Sequence, residues 1–278
     1  YEDNAGRLWV GTAGRGADMF DRSTETFFHF EHDEKNNASL SDNRVNKITG
    51  DRFGNIWVST YNGLNKIAAG MLHNQSSKQV YSSLKITRYF KDECLFTEVS
   101  DGTIWGSSLH YGSYHIHPLS KDSVQIDTLD MGLYCSYPQE DKGLEKIIRL
   151  IVEDTINHAL YLVAEYSIAR VDMKSNEVKI VSMQRNHWGI IGNTGCIDAG
   201  GMLWLSETDW LEQFDTRSNQ WYRILTADAA LQFAVSNTGI TYRDRSGIIW
   251  IGTKGNGILK YNPDAEKFHK TDDQSVQW

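Results

Sequence analysis

Asp244-Arg-Ser-Gly-Ile-Ile-Trp-Ile-Gly-Thr253 decides the fold, because the chain writes this stretch six times. Near copies are Asp3-Asn-Ala-Gly-Arg-Leu-Trp-Val-Gly-Thr12, Asp51-Arg-Phe-Gly-Asn-Ile-Trp-Val-Ser-Thr60 and Asp101-Gly-Thr-Ile-Trp-Gly-Ser107. More distant are Asp154-Thr-Ile-Asn-His-Ala-Leu-Tyr-Leu-Val163 and Asp198-Ala-Gly-Gly-Met-Leu-Trp-Leu-Ser206. Each copy sets an acidic residue before a Gly or Asn suited to the positive φ of a tight turn, then an apolar strand led by an aromatic residue. Asn157 stands where the others have Gly, and Asn tolerates a left-handed backbone well. The aromatic anchors Trp9, Trp57, Trp105, Tyr161, Trp204 and Trp250 follow one another at 48, 48, 56, 43 and 46 residues, spacing that implies an array.

Between anchors the apolar period is two. Gly16–Asp21 and Glu25–Phe30 complete a four-stranded first unit with the opening hairpin, whose leading strand is the tail Tyr1-Glu2-Asp3. Leu40–Thr49, Gly63–Ile67 and Leu84–Phe90 build the second unit, with a long polar loop from Ala68 to Ser83. Phe96–Val99, Gly112–Ile116 and Val124–Leu129 serve the third, and Ile147–Val152, Ile168–Asp172 and Val178–Val181 the fourth. Leu211–Asp215 and Gln220–Ile224 follow Trp204, while Gly257–Asn262 and Lys267–His269 close the sixth. The expected fold is an all-β propeller of four-stranded antiparallel blades, a complete six-bladed ring or most of a seven-bladed one. Its blades span 1–38, 39–92, 93–132, 133–184, 185–230 and 231–271, with a cut-off strand at 272–278. The chain reads as a piece of a longer protein.

Composition narrows the function. A net charge of -8 and a pI near 5.6 offer no basic surface for nucleic acid or an anionic membrane. No apolar run approaches the roughly 20 residues of a bilayer span. Cys94, Cys135 and Cys196 lie far apart, without the Cys-x-x-Cys spacing of zinc or redox sites, and read as incidental thiols. His115-x-His117 lacks a third ligand at diagnostic spacing and reads as a strand edge, and no elbow or zinc-helix motif is present. Neither a catalytic residue, a metal nor a cofactor is expected.

The pattern Asp-x-x-Gly-x-Ile/Leu-Trp-Ile/Val-Gly-Thr resembles the two-component regulator propeller repeat, best in Gly6–Thr12, Gly54–Thr60 with Gly63-Leu64, and Gly247–Thr253 with Gly257-Ile258. The linker Ser39-Leu-Ser-Asp-Asn-Arg-Val45 is similar to the family's blade connection. The third to fifth copies depart, with Gly-Ser-Ser, Val-Ala-Glu and Ser-Glu-Thr where Gly-Thr is expected. The resemblance implies a periplasmic sensor module of a hybrid histidine kinase controlling polysaccharide utilisation. It implies further domains of the same polypeptide as partners and a homodimeric parent receptor.

In a propeller the Asp-x-x-Gly turns share one rim, while the second-to-third turns and the blade linkers share the other. The second rim varies from blade to blade, as recognition on a repeated frame requires. It carries Arg15, Tyr61, Asn62, His110, Tyr111, Tyr166, His187, Trp188, Asp209, Trp210 and Asn256. Aromatic faces stack on sugar rings while amides and charged groups bond hydroxyls, so an oligosaccharide is the ligand class expected there. The competing readings are a propeller enzyme such as a lyase or glycosidase, and a purely structural scaffold.

Overall fold

A computed structural model describes residues 1–69, 86–108, 112–129, 148–164, 167–182, 191–207, 211–224, 238–253, 255, 257–263 and 267–271. Among them the chain is all-β, in six antiparallel sheets whose strands follow one another in sequence order. The first sheet comprises β1 (Leu8–Gly11), β2 (Ala17–Asp21) and β3 (Thr26–Phe30). The second holds β4 (Val45–Gly50), β5 (Ile56–Thr60), β6 (Gly63–Ile67) and β7 (Ile86–Tyr89). The third holds β8 (Cys94–Glu98), β9 (Ile104–Ser108), β10 (Gly112–Pro118) and β11 (Val124–Leu129). In the fourth are β12 (Ile148–Asp154), β13 (Ala159–Ala164), β14 (Ile168–Asp172) and β15 (Val178–Ser182). The fifth consists of β16 (Ile191–Ile197), β17 (Met202–Glu207), β18 (Leu211–Asp215) and β19 (Gln220–Arg223). The sixth consists of β20 (Thr238–Arg243), β21 (Ile249–Thr253), β22 (Ile258–Asn262) and β23 (Lys267–Thr271). These are the blades of a β-propeller. The chain divides into two compact units, one centred on the first three sheets and the other on the last three.

The first sheet has three strands, with the fourth position only begun. Glu2 bridges to Leu8, while the Tyr1 ammonium and carbonyl both bond Trp9. Sequence reading placed a strand tail there, and the backbone follows it for one bridge. It did not single out β16 or β20.

The repeated aspartate has a specific task. In the first, second, fifth and sixth copies, one carboxylate oxygen accepts the backbone N–H four residues on, and the other accepts the indole N–H six residues on. The latter bonds run from Trp9 to Asp3 (2.9 Å), Trp57 to Asp51 (2.9 Å), Trp204 to Asp198 (2.9 Å) and Trp250 to Asp244 (2.7 Å). The glycine three residues on returns its N–H to the aspartate carbonyl at a φ of 75 to 87°, which a side chain would oppose. One carboxylate therefore ties turn and strand together while satisfying a buried donor.

Two copies depart from this scheme, and both correct the sequence reading. In the fourth the turn is one residue longer, and the left-handed residue is His158 (φ 47°) rather than Asn157. Asn157 instead donates its amide to Asp154 at 2.7 Å. In the third, the N–H of Val99 pairs with the Thr103 carbonyl as the aspartates of other turns do, so Val99 occupies the carboxylate position. Asp101 lies two residues further on, capping Thr103 locally.

All six anchors fall on equivalent strands, and five are almost wholly buried; Trp250 is half-buried. Opposite five of them, the neighbouring strand places Lys66, His115, Arg170, Gln213 or Lys260. Lys66 and Lys260 set their ammonium groups 5.9 and 5.6 Å from the ring centroids they cover. Within each unit, the aromatic face of one sheet packs on the opposite face of the next. Trp9, Met19 and Phe30 meet Ile56, Val58 and Ile67, and Trp57 and Leu64 meet Phe96, Ile104 and Ile116. In the other unit, Tyr161 and Val163 meet Leu203, Leu205 and Phe214, and Trp204 meets Ile249, Ile251 and Leu259. Cys94 and Cys196 are free thiols pushed up to about 12 by burial, while Cys135 lies outside the described residues.

Replacing Asp51 by alanine strands the Trp57 indole and two backbone donors in a site where Asp51 is 2% exposed. Asp51→Ala is expected to cost about 3 kcal/mol in urea unfolding. Asp101→Ala, in a turn whose tryptophan makes no bond to the aspartate, is expected to cost less than half as much; equal losses would refute the assigned role.

Candidate functional site

Threonine builds the turns of the variable rim. Thr12 bonds the Gly16 carbonyl through its N–H and its hydroxyl, both at 2.9 Å. Thr253 repeats this with Gly257, and the Thr60 hydroxyl donates to the Gly63 carbonyl at 3.0 Å. The closing glycines have positive φ. Between threonine and glycine lie the residues free to vary, among them Arg15 in the first turn and Tyr61 and Asn62 in the second. The N–H groups of Arg15 and Asn62 bond back to the threonine hydroxyls, leaving all three side chains exposed.

The linker Asp42–Val45 joins these two turns. Gly16 donates to the Asn43 carbonyl (2.8 Å), Val45 to the Thr12 carbonyl (2.9 Å) and Tyr61 to the Arg44 carbonyl (3.1 Å). Arg15, Arg44 and Tyr61 are thereby gathered on one patch. The Arg44 guanidinium lies 4.5 Å from the Tyr61 ring centroid and is gripped by Asp42 at 3.0 and 2.8 Å. The hydrogen bonds from Arg44 hold the Asp42 carboxyl below its usual range. Tyr61 is 48% exposed, so a planar, pre-oriented aromatic and guanidinium surface faces solvent. Asn46 extends the patch, donating to Glu93 of the third sheet's approach at 3.0 Å.

Sequence reading selected Arg15, Tyr61 and Asn62 and missed Arg44 and Asp42. The signal was present in the quoted linker, where an Asp-x-Arg spacing allows a carboxylate to fix a guanidinium. His110, Tyr111, Tyr166, His187, Trp188, Asp209, Trp210 and Asn256 lie outside the described residues.

The clamp behind this rim is Arg88 of β7. Its guanidinium donates to the carbonyls of Asn36, Ser39 and Leu40 and to the Ser39 hydroxyl, at 2.7 to 3.1 Å. Leu40 is buried in the core shared by the first two sheets. The linker therefore enters the rim from a fixed start.

His115 and His117 belong to an inner strand, not to the strand edge expected from sequence. His115 stacks on Trp105 with centroids 4.0 Å apart, and one ring nitrogen meets the Thr103 hydroxyl at 2.8 Å. His117 reaches Asp127 at 3.1 Å. Among the described residues no group of three His, Cys, Asp or Glu side chains gathers to hold a metal. Burial and the adjacent His117 hold the His115 imidazole down to about 4. The unfolded chain then takes up this proton first as pH falls, so stability drops between about 6.5 and about 4. His115→Phe is expected to flatten that part of the urea-midpoint profile between pH 7 and 5.

Residues 39–62 match the two component regulator propeller family. No curated protein sequence matches. The fold is similar to the extracellular domain of the hybrid two component system BT3049 from B. thetaiotaomicron. That match has a TM-score of 0.62 and 18% identity, and covers 92% of this chain and 32% of the other. The extracellular domain of BT4673 from the same organism, a one component system, matches with a TM-score of 0.51 and 18% identity, over 99% and 43% of the two chains. PorZ, a surface component of the type-IX secretion system of Porphyromonas gingivalis, matches with a TM-score of 0.59 and 13% identity, over 94% and 37%. The chain thus spans less than half the length of each of these proteins. No helix among the described residues is long and apolar enough to cross a membrane.

Proposed function

We propose that this chain is a sensing propeller from the periplasmic region of a two-component, hybrid histidine kinase type of regulator. It takes an oligosaccharide on the variable rim and signals toward polysaccharide-utilisation genes. The observation that carries the reading is the Tyr61–Arg44–Asp42 assembly. An exposed ring is capped by a guanidinium whose orientation is already fixed by a carboxylate and by backbone bonds to two turns. Such a surface loses little side-chain freedom on binding. The open ring area suits the apolar side of a sugar, and the unused guanidinium donors, Arg15 and Asn62 suit its hydroxyls.

The matched repeat supports a regulatory setting, and the fold likeness to extracellular domains of B. thetaiotaomicron regulators supports a place outside the cytoplasm. Binding would be non-catalytic, and its energy would bias the further domains of the same polypeptide and a receptor dimer.

Screening the protein by thermal shift against an oligosaccharide panel tests this, since a ligand bound only by the native state raises the melting point. For a sugar that gives a shift, Tyr61→Ala and Trp188→Ala are each expected to weaken binding by about tenfold or more, or roughly 1.4 kcal/mol. Tyr61→Ala should leave the unliganded melting point nearly unchanged. Binding unaltered in both variants would overturn the rim as the site.

A further inference from the structure

The seam between the second and third sheets carries an acid without a cation. Glu98 ends β8 beside the edge of β4, with its carboxyl 3.5 Å from the hydroxyl of Thr49, which is buried. Because Val99 fills the aspartate position of this turn, the carboxylate nearest the seam from the other side is Asp51. That group is already occupied by Phe53, Asn55 and Trp57. The charged and titratable groups around Glu98 are Asp51 and Arg52 from the second turn and Lys47 from β4. Tyr1 approaches from the first sheet, and Asp101 belongs to Glu98's own turn. Lys47 is directed to Thr97 and the Phe96 ring. Among the described residues no cation forms an ion pair with Glu98.

Glu98 is half-buried, and a 3.5 Å contact with one hydroxyl does little to offset the part of its charge that is withdrawn from water. Burial, and then Asp51, lift the Glu98 carboxyl to about 7. Directly beside the seam lies an open cleft of about 550 Å³ lined by Glu98 itself, Arg52 and residues 99–102. Arg52 is held at its wall by bonds to the carbonyls of Pro118 (2.8 Å) and Asp101 (3.4 Å). Those bonds use the two terminal nitrogens and leave its Nε proton uncommitted.

We propose that Glu98 is a proton-operated side chain with two seats: as the neutral acid it lies in the β4–β8 seam against Thr49, and on losing its proton it turns into the cleft beside Arg52. The proton passes to solvent, and the seam loses a packed side chain. The sign is fixed by linkage: a group held above its ordinary value in the fold stabilises the seam at low pH. That contribution is lost as pH rises from about 4.5 to about 7.

The test is hydrogen exchange of the β4 and β8 amides in the whole chain between pH 6 and pH 8, corrected for the intrinsic pH dependence. Carboxyl NMR of Glu98 is followed alongside. In the wild type, seam protection is expected to fall about tenfold across a transition near pH 7. Glu98→Gln, which mimics the neutral acid, should keep the protection of the low-pH state throughout. Arg52→Met should move the Glu98 midpoint upward by weakening the ionised seat, while Arg52→Lys should leave it near the wild-type value. A wild-type-like pH dependence in Glu98→Gln, or a midpoint unmoved in Arg52→Met, overturns the proposal.

Discussion

The bond from a buried indole N–H to the carboxylate six residues before it is the constraint on which the rest of the structure depends. A tryptophan between two stacked sheets contributes a large apolar area but brings one donor that must be satisfied. In four of the six turns an aspartate meets that need from within its own hairpin, and the same carboxylate caps the turn backbone. Packing between sheets and closure of the hairpin are thus one interaction, and a module so built can be repeated with little concern for its neighbours.

The repeat made most of the fold legible. Acid, glycine and aromatic recur because a turn, a left-handed residue and a buried ring recur, and the alternation between them gives strands. Legibility failed where a copy solved the same problem differently. Asn157 looks like a left-handed residue by type, yet its amide is engaged by Asp154 and the backbone reverses at His158. Asp101 looks like the repeated acid, but the strand hydrogen bonds put Val99 in that place. His115-x-His117 has the alternation of a half-exposed edge, while cross-strand stacking on Trp105 makes it interior. The strand β16 bears Gly, Asn and Thr, and β20 Gly and Thr, in place of a clear apolar run, so only their pairing partners define them.

The candidate site was less legible for a physical reason. Sequence locates which loops vary, and Arg15, Tyr61 and Asn62 follow from that. It does not say which linker atoms will reach across two turns. Asp42 and Arg44 acquire their place through three backbone bonds between segments separated by up to about 30 residues. Arg88, almost 50 residues beyond the carbonyls it holds, is further still from any local signal. Long-range polar contacts of this kind carry no periodicity.

The threonine that closes each of the best-matched second-to-third turns has an evolutionary consequence. Thr12 and Gly16 enclose three residues, whereas Thr60 and Gly63 enclose two, and the flanking strands pair without disturbance in both cases. A hydroxyl and a glycine thus insulate strand register from whatever is spliced between them. Diversification can proceed at the rim by insertion, deletion or exchange while the scaffold beneath accrues no folding penalty, much as interchangeable tips on a common handle.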